Sequence, residues 1–314
     1  MPKKLLSPGQ LIADLCLPPV GQIPLGEIEG LAKLTALRRS AAGTFYFSNI
    51  YRGELLYQLV RGLKPANVLE IGTGRGYGAL CMAMAARDAG LATRIYSIDL
   101  VPPDRKQTWA LDSGSGPEVK SLSLQEVWNE IDRGLTSRIT LLTGPSPRCM
   151  KRLLQSPEFP GIDFAFIDGG HDYWVVRHDI TATLLSARNR RTSVLLDDYD
   201  GIQGKAIKKL TDTALAKSFP SQIMHFIAMP SSEAELAENG FHGMVFLDGR
   251  TGGVTADALS EVWSCNLGLL RLAVAIESAS LRARIAARSL IHRIFRFPDS
   301  ARTGPKKHRL AGNS

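Results

Sequence analysis

Two apolar runs of this sequence stop at acids in a way that bears on chemistry. One reads Phe166-Ile167-Asp168-Gly169-Gly170-His171-Asp172-Tyr173, and the other Leu195-Leu196-Asp197-Asp198-Tyr199. If the runs are neighbouring strands, Asp168, Asp197 and Asp198 meet at one sheet edge. Three carboxylates so placed repel one another unless a cation sits between them or one is protonated. A Mg²⁺ held by oxygen ligands, with water and substrate oxygens, meets that requirement. A plainer reading also stays open, in which Asp168 caps the next helix and Asp197 and Asp198 form a surface turn. His171 follows Asp168 by three residues, and an imidazole there is suited to taking a proton from an attacking hydroxyl near neutrality. A third cluster is the glycine run Gly72-Thr73-Gly74-Arg75-Gly76-Tyr77-Gly78, with Glu70 two residues before it. Glycines there permit a tight turn and close approach of a ligand to the backbone. Asp99 ends the next apolar run, where a carboxylate can accept both ribose hydroxyls of a nucleoside. Turn and acid in consecutive units favour a nucleoside cofactor, while the run fits the dinucleotide pattern GxGxxG poorly.

These residues need a scaffold that brings strand ends together, and the remaining pattern supplies one. Asn67–Ile71, Arg94–Leu100, Arg138–Leu142, Asp163–Ile167 and Ser193–Leu196 are short apolar runs. Between them lie helical stretches at about Ala79–Ala89, Leu124–Arg133, Arg148–Leu154 and Tyr173–Ala187, and Lys205–Lys217 follows. Such alternation signals right-handed crossovers and a doubly wound, mostly parallel sheet. Gln222–Ala228 and His242–Leu247 complete seven strands, and with no strong helix pattern between them the last is expected to run antiparallel. Val101–Ser121, rich in Gly, Pro and Ser, reads as a loop. Residues 1–65 form a helical preface, with helices expected at Gly26–Arg39 and Ser48–Leu63; its Phe45, Tyr46, Phe47 and Tyr51 suit a lid. Residues 66–250 form the main domain, 251–297 a helical extension and 298–314 a basic disordered tail.

Composition narrows the function classes. Of 314 residues, 44% are hydrophobic and 22% charged, which excludes wholesale disorder. The net charge of +8 is not spread evenly. Residues 281–314 hold nine Lys or Arg against one acid, Asp299, so the rest of the chain is neutral. Nucleic acid is therefore not expected as the partner of the main domain, and the tail is left to an acidic partner or surface. Cys16, Cys81, Cys149 and Cys265 lie far apart with no CxxC pair, which fits a reducing, cytoplasmic setting. The N-terminal run is soon broken by Ser, Pro, Gly and Asp and makes a poor signal peptide. No stretch is long and apolar enough to suggest a membrane span, and a homo-oligomer is compatible with the pattern.

The stretch Val68-Leu69-Glu70-Ile71-Gly72-Thr73-Gly74-Arg75-Gly76-Tyr77-Gly78-Ala79-Leu80 resembles the first motif of class I S-adenosylmethionine-dependent methyltransferases. The strand pattern from 67 to 247 resembles their Rossmann-like sheet. That resemblance implies S-adenosylmethionine as cofactor, with Glu70, Gly72, Gly74 and Gly76 at the methionine part, Asp99 on the ribose and Ser146 of Gly144-Pro145-Ser146 beside the adenine. The acids resemble those of Mg²⁺-dependent O-methyltransferases of the catechol and macrocin types, which implies Asp168, Asp197 and Asp198 as metal ligands. It also implies His171 and Asp168 as catalytic residues and a small-molecule hydroxyl, catechol-like or sugar, as acceptor. The run from Ile167 to Ile180 is similar to the IDGxHxYxxVxxDL signature of bacterial methyltransferases, although many of those carry Asp where this chain has Gly170. Two alternatives stay open. One is a metal-free methyltransferase acting on nitrogen or RNA, although no (D/N)PP(Y/F) motif is present; the other is a non-catalytic binding protein of the same fold.

Overall fold

A computed structural model describes residues 4–18, 21–40, 42–186, 192–199, 204–216, 224–240 and 242–251. Beyond Thr251, the expected helical extension and basic tail lie outside the described residues. The five short apolar runs form β4 (Asn67–Ile71), β5 (Arg94–Asp99), β8 (Ile139–Thr143), β9 (Phe164–Ile167) and β10 (Ser193–Tyr199). β11 (Met224–Ala228) and β12 (Gly243–Leu247) close the series. With β1 (Leu5–Leu6) the sheet order is β1-β11-β12-β10-β9-β4-β5-β8, and β12 is the antiparallel member, paired with both β10 and β11.

The sheet has eight strands rather than the seven expected. The addition is β1 (Leu5–Leu6), which pairs in parallel with Phe226 and Ile227 at the edge. Two residues carry no periodicity of their own, so tertiary pairing decides their conformation.

Alternation along each strand builds two cores. Val68 of β4 and Phe164 and Phe166 of β9 pack with α1 (Pro8–Asp14), α2 (Leu25–Thr35), α3 (Ile50–Leu63) and α4 (Tyr77–Asp88) on one face. Leu69, Ile71, Ala165 and Ile167 pack on the other with α7 (Ser146–Gln155), α8 (Tyr173–Leu185) and α9 (Lys205–Leu210). Both faces are covered, as a parallel sheet requires.

Four other expectations are corrected. The Gly- and Pro-rich segment after β5 is mostly a hairpin, β6 (Gln107–Asp112) and β7 (Pro117–Leu122), two antiparallel strands in full register. Its turn closes when Asp112 Oδ1 accepts the Gly114 and Gly116 N–H groups at 2.8 and 3.1 Å. The single helix expected near 124–133 is two short ones, α5 (Leu124–Trp128) and α6 (Arg133–Thr136), started by the Ser123 and Asp132 caps. A helix does lie between the last two strands, α10 (Glu233–Asn239), capped by Ser232. The preface is not purely helical either, because β2 (Leu37–Arg39) and β3 (Phe45–Phe47) form a small hairpin before α3.

α3 matters most for the site. Leu55, Leu56 and Leu59 form its fully buried stripe at helical spacing, each worth about 1.5–3 kcal/mol in burial. Gly53 lets it press on α4, because a Cβ there would clash with the Tyr77 ring. The Tyr77 hydroxyl also donates to the Ile50 carbonyl at 2.7 Å. This docking carries Arg52, one turn before Leu55 and Leu56, over the ends of β9 and β10.

Candidate active site at the carboxyl ends of the strands

The glycine turn sits at the end of β4 and is fixed by its own geometry. Gly72, Gly74 and Gly76 have φ of 100°, 54° and 86°, all in the region that disfavours side chains. A Cβ on Gly72 would run into the Asp168 carbonyl, and one on Gly76 into the Trp128 ring. A Cβ on Gly74 would meet nothing within 4 Å, so the turn is open on that side. The other two glycines serve packing, and Gly74 faces free space.

Asp99, at the end of β5, reaches the same turn. Its Oδ2 accepts the Gly74 N–H at 2.7 Å and its Oδ1 the Val101 N–H at 2.8 Å. Burial raises its pKa, and these backbone donors act in the opposite direction.

Glu70 lies beneath the turn. Its side chain is buried, accepts from the Ser97 hydroxyl and the Ala79 N–H, and fills the space beside Gly78. Burial pushes the Glu70 carboxyl up to about 8, against the pull of Ser97 and of Arg52. Its contacts support the turn and the start of α4. The Ser146 hydroxyl donates to Asp179 Oδ2 at 2.9 Å in a buried contact between α7 and α8, so its side chain is spent on helix packing. Arg75 turns outward to the carbonyls of Leu37, Thr108 and Ala110 and stacks over Trp109.

β9 lies between β4 and β10 in parallel register, with Ile71, Ile167 and Leu196 side by side. The next residues therefore share an edge, and Asp168 and Asp197 do converge. Successive side chains of a regular strand point to opposite faces. β10 escapes that rule through a register shift against β12 between Leu196 and Tyr199, with Asp198 at φ 59°. As a result Asp197, Asp198 and His242 bring one ligand-type atom each within 4.8 Å of one another. Asp168 does not cap α8; Asp172 does, accepting the Trp174 N–H at 2.9 Å.

The cation between the acids is Arg52. Its Nη1 donates to Asp168 Oδ2 at 2.6 Å and to Asp197 Oδ2 at 2.5 Å. Its guanidinium lies 5.3 Å from the Phe166 ring centroid, within cation–π range. Burial opposes the charge of Arg52, but Asp168 and Asp197 outweigh it and raise the pKa.

On the far side of Asp197, Oδ1 faces His242 Nε2, which precedes β12. Asn49, in left-handed backbone before α3, completes the network. Its amide nitrogen faces His242 Nδ1 at 3.0 Å and Glu235 Oε1 at 2.8 Å, and its oxygen faces Arg52 at 3.3 Å.

Asp197 is fully buried, and burial alone would raise its pKa; His242 and Arg52 overturn that and hold it below the usual carboxylate range. Asp168 goes the other way, raised by burial and by Asp197 against a single favourable charge, Arg52. Asp197 is thus the ionised anchor and Asp168 the reluctant one. Burial lowers the pKa of His242, but Asp197 reverses the direction and raises it.

His171 lies half exposed on the open side, its Nδ1 3.3 Å from Asp198 Oδ2. A histidine oriented by a carboxylate at one nitrogen leaves the other for a substrate proton. Burial and Asp197 raise the pKa of Asp198, while His171 lowers it.

Arg52, Asn49, Glu235 and His242 are the residues that sequence reasoning missed. Residues 69–199 match a family model described as a methyltransferase domain. That segment holds the glycine turn and every expected acid, whereas the four additional residues lie outside it. No curated protein matches the sequence. Among solved structures, the chain is similar to an O-methyltransferase from Bacillus cereus in complex with SAH, at 18% identity and TM-score 0.46 over 77% of this chain and 96% of that one. It is also similar to the O-methyltransferase TomG from Streptomyces achromogenes, involved in tomaymycin synthesis and in complex with SAM, at 16% identity and TM-score 0.47 over 77% and 95%.

Proposed function

This chain carries a class I methyltransferase domain, and from that premise we propose that it transfers a methyl group from S-adenosylmethionine to a hydroxyl oxygen of a small molecule. One observation carries the reading. The open glycine turn with Asp99, and the His171–Asp198 pair, stand at the ends of adjoining strands on one sheet edge. That arrangement supports a cofactor site beside a proton acceptor.

The residues fit the cofactor. Gly74 leaves the turn open, the carboxylate of Asp99 stands beside it for the ribose hydroxyls, and the backbone at Gly144–Ser146 borders the same edge. When bound, S-adenosylmethionine supplies an electrophilic methyl on a sulfonium. The chain's own task is to hold the acceptor hydroxyl in line and remove its proton. The free nitrogen of His171 takes that proton, and Asp198 at Nδ1 fixes the ring and stabilises the imidazolium. The aromatic side chains of β3 and Tyr51 at the start of α3 are the proposed lid.

The Mg²⁺ implied by the resemblance would need Asp168, Asp197 and Asp198. As arranged, they do not fit it. One oxygen of Asp168 and one of Asp197 accept from the same guanidinium nitrogen, and the second oxygen of Asp197 faces His242.

The test is transfer of labelled methyl from S-adenosylmethionine to catechols, sugars and polyketide glycosides, with the methylated atom identified by mass spectrometry and NMR. O-methylated product is expected. Cofactor binding without transfer to any hydroxyl acceptor, or methylation at nitrogen, would overturn the reading.

A further inference from the structure

Three carboxylates at one sheet edge require a cation, and the chain brings its own. Arg52 reaches the acids from α3, a helix outside the segment that matches the methyltransferase domain. Its Nη1 lies between Asp168 and Asp197 at 2.6 and 2.5 Å and accounts for one oxygen of each. Its Nε is buried with no hydrogen-bond partner among the described residues, so its hydrogen bonds to acids run through Nη1.

The other donors are also committed. Asp197 Oδ1 faces His242 Nε2; with the Asn49 amide nitrogen donating to Nδ1 the neutral ring carries its proton on Nε2, and a charged ring carries one on both nitrogens. A protonated nitrogen has no lone pair for a metal. Asp198 is left with His171. A dication would have to displace a guanidinium held by buried hydrogen bonds and by the Phe166 ring.

We propose that Arg52 is the resident cation of this site, standing where related enzymes are expected to carry a divalent metal, and that the chain binds its cofactor and works without such a metal. Turnover without a metal rests on the methyl-transfer reading above; the occupation of the acids rests on the Arg52 geometry. Arg52 is a positioning residue. It fixes Asp197, and through Asp197 and the register shift of β10 it fixes Asp198, which orients His171. The plain electrostatics also give a converse: without the guanidinium, the same acids become a latent metal site.

The full chain is titrated with Mn²⁺, and free Mn²⁺ is read by electron paramagnetic resonance. Wild type is expected to leave the free signal unchanged at sub-millimolar Mn²⁺, and its melting temperature is expected not to move with Mg²⁺. Arg52→Met is expected to take up Mn²⁺ and to gain stability as Mg²⁺ is added. Stoichiometric uptake by wild type, lost in Asp198→Asn, would overturn the proposal. So would a folded Arg52→Met that takes up none. If Arg52→Met does not fold, Arg52→Lys decides together with wild type: it keeps the charge, so no uptake in either supports the proposal and uptake in either overturns it. Calorimetry of S-adenosylmethionine binding on the same samples separates the two readings, because loss of cofactor binding refutes the methyltransferase reading and leaves the Mn²⁺ result standing.

Discussion

Asp197→Asn and Asp168→Asn make the same chemical change on two acceptors of one guanidinium, yet their costs should differ. Asp197 is fully buried and answers two partners, Arg52 at 2.5 Å and His242. Removing one member of a buried ion pair typically costs about 3–5 kcal/mol, because the other charge is left uncompensated. Asparagine keeps one acceptor oxygen, so the lower end applies, about 3 kcal/mol at neutral pH. For a chain of 314 residues that is a fall in Tm of about 5 °C. Asp168 is partly exposed, and its charge is opposed by burial and by Asp197, so neutralising it relieves repulsion while Arg52 keeps Asp197. Its cost should stay within about 1 kcal/mol. The pH dependence carries the same sign. A carboxyl held below its usual range contributes stability that is present above about pH 4 and lost as pH falls through its folded value. Urea unfolding at neutral and acid pH reads both effects. Asp197→Asn should lose more at neutral pH and show a shallower acid decline than wild type. Equal costs for the two variants, or an Asp197→Asn cost below about 1 kcal/mol, would refute the assignment of Asp197 as the ionised anchor.

Three further outcomes are expected. His171→Ala should lower kcat by about 10²–10⁴-fold, leave S-adenosylmethionine affinity unchanged by calorimetry and recover part of its rate with added imidazole, whereas a purely structural role would move both parameters. Gly76→Ala should unfold the turn or abolish soluble expression, because its Cβ meets the Trp128 ring at φ 86°, while Gly74→Ala should fold and weaken cofactor binding; circular dichroism and calorimetry distinguish them. Glu70 has its carboxyl raised to about 8, so its stability contribution is full below its ordinary value and lost as pH rises towards 8. Glu70→Gln should therefore unfold at a higher urea midpoint than wild type above about pH 8, and the reverse order would contradict the burial assigned to this acid.

The strands that place the site were legible because each is an apolar run closed by a turn residue or an acid, as in Phe164–Ile167 and Asn67–Ile71. The last strand is antiparallel as expected, although the reason given for it, a connection without a helix, does not hold, because α10 lies there. The hairpin at 107–122 was hidden because its turn glycines dominate the composition of the whole segment, and α10 because seven residues rich in Glu show no apolar stripe. Among the site residues, the acids, the glycines and His171 lie at strand ends where fold and chemistry coincide. Arg52 and His242 meet Asp197 across 145 and 45 residues of chain, a distance no local pattern spans. One signal was nonetheless present. Arg52 stands three, four and seven residues before Leu55, Leu56 and Leu59, so a permanent charge continues the buried stripe of α3. An arginine in that position calls for buried acids, and the sequence had three in need of a cation. The cation that meets two of those acids, Arg52, is visible only in the tertiary contacts.

The central claim is that the glycine turn and Asp99 form an S-adenosylmethionine site. Calorimetric titration of the full chain with S-adenosylmethionine tests it most directly. One cofactor per chain in the micromolar range, markedly weakened in Asp99→Ala, is the predicted result; no heat of binding at millimolar cofactor, with the fold intact, would contradict it.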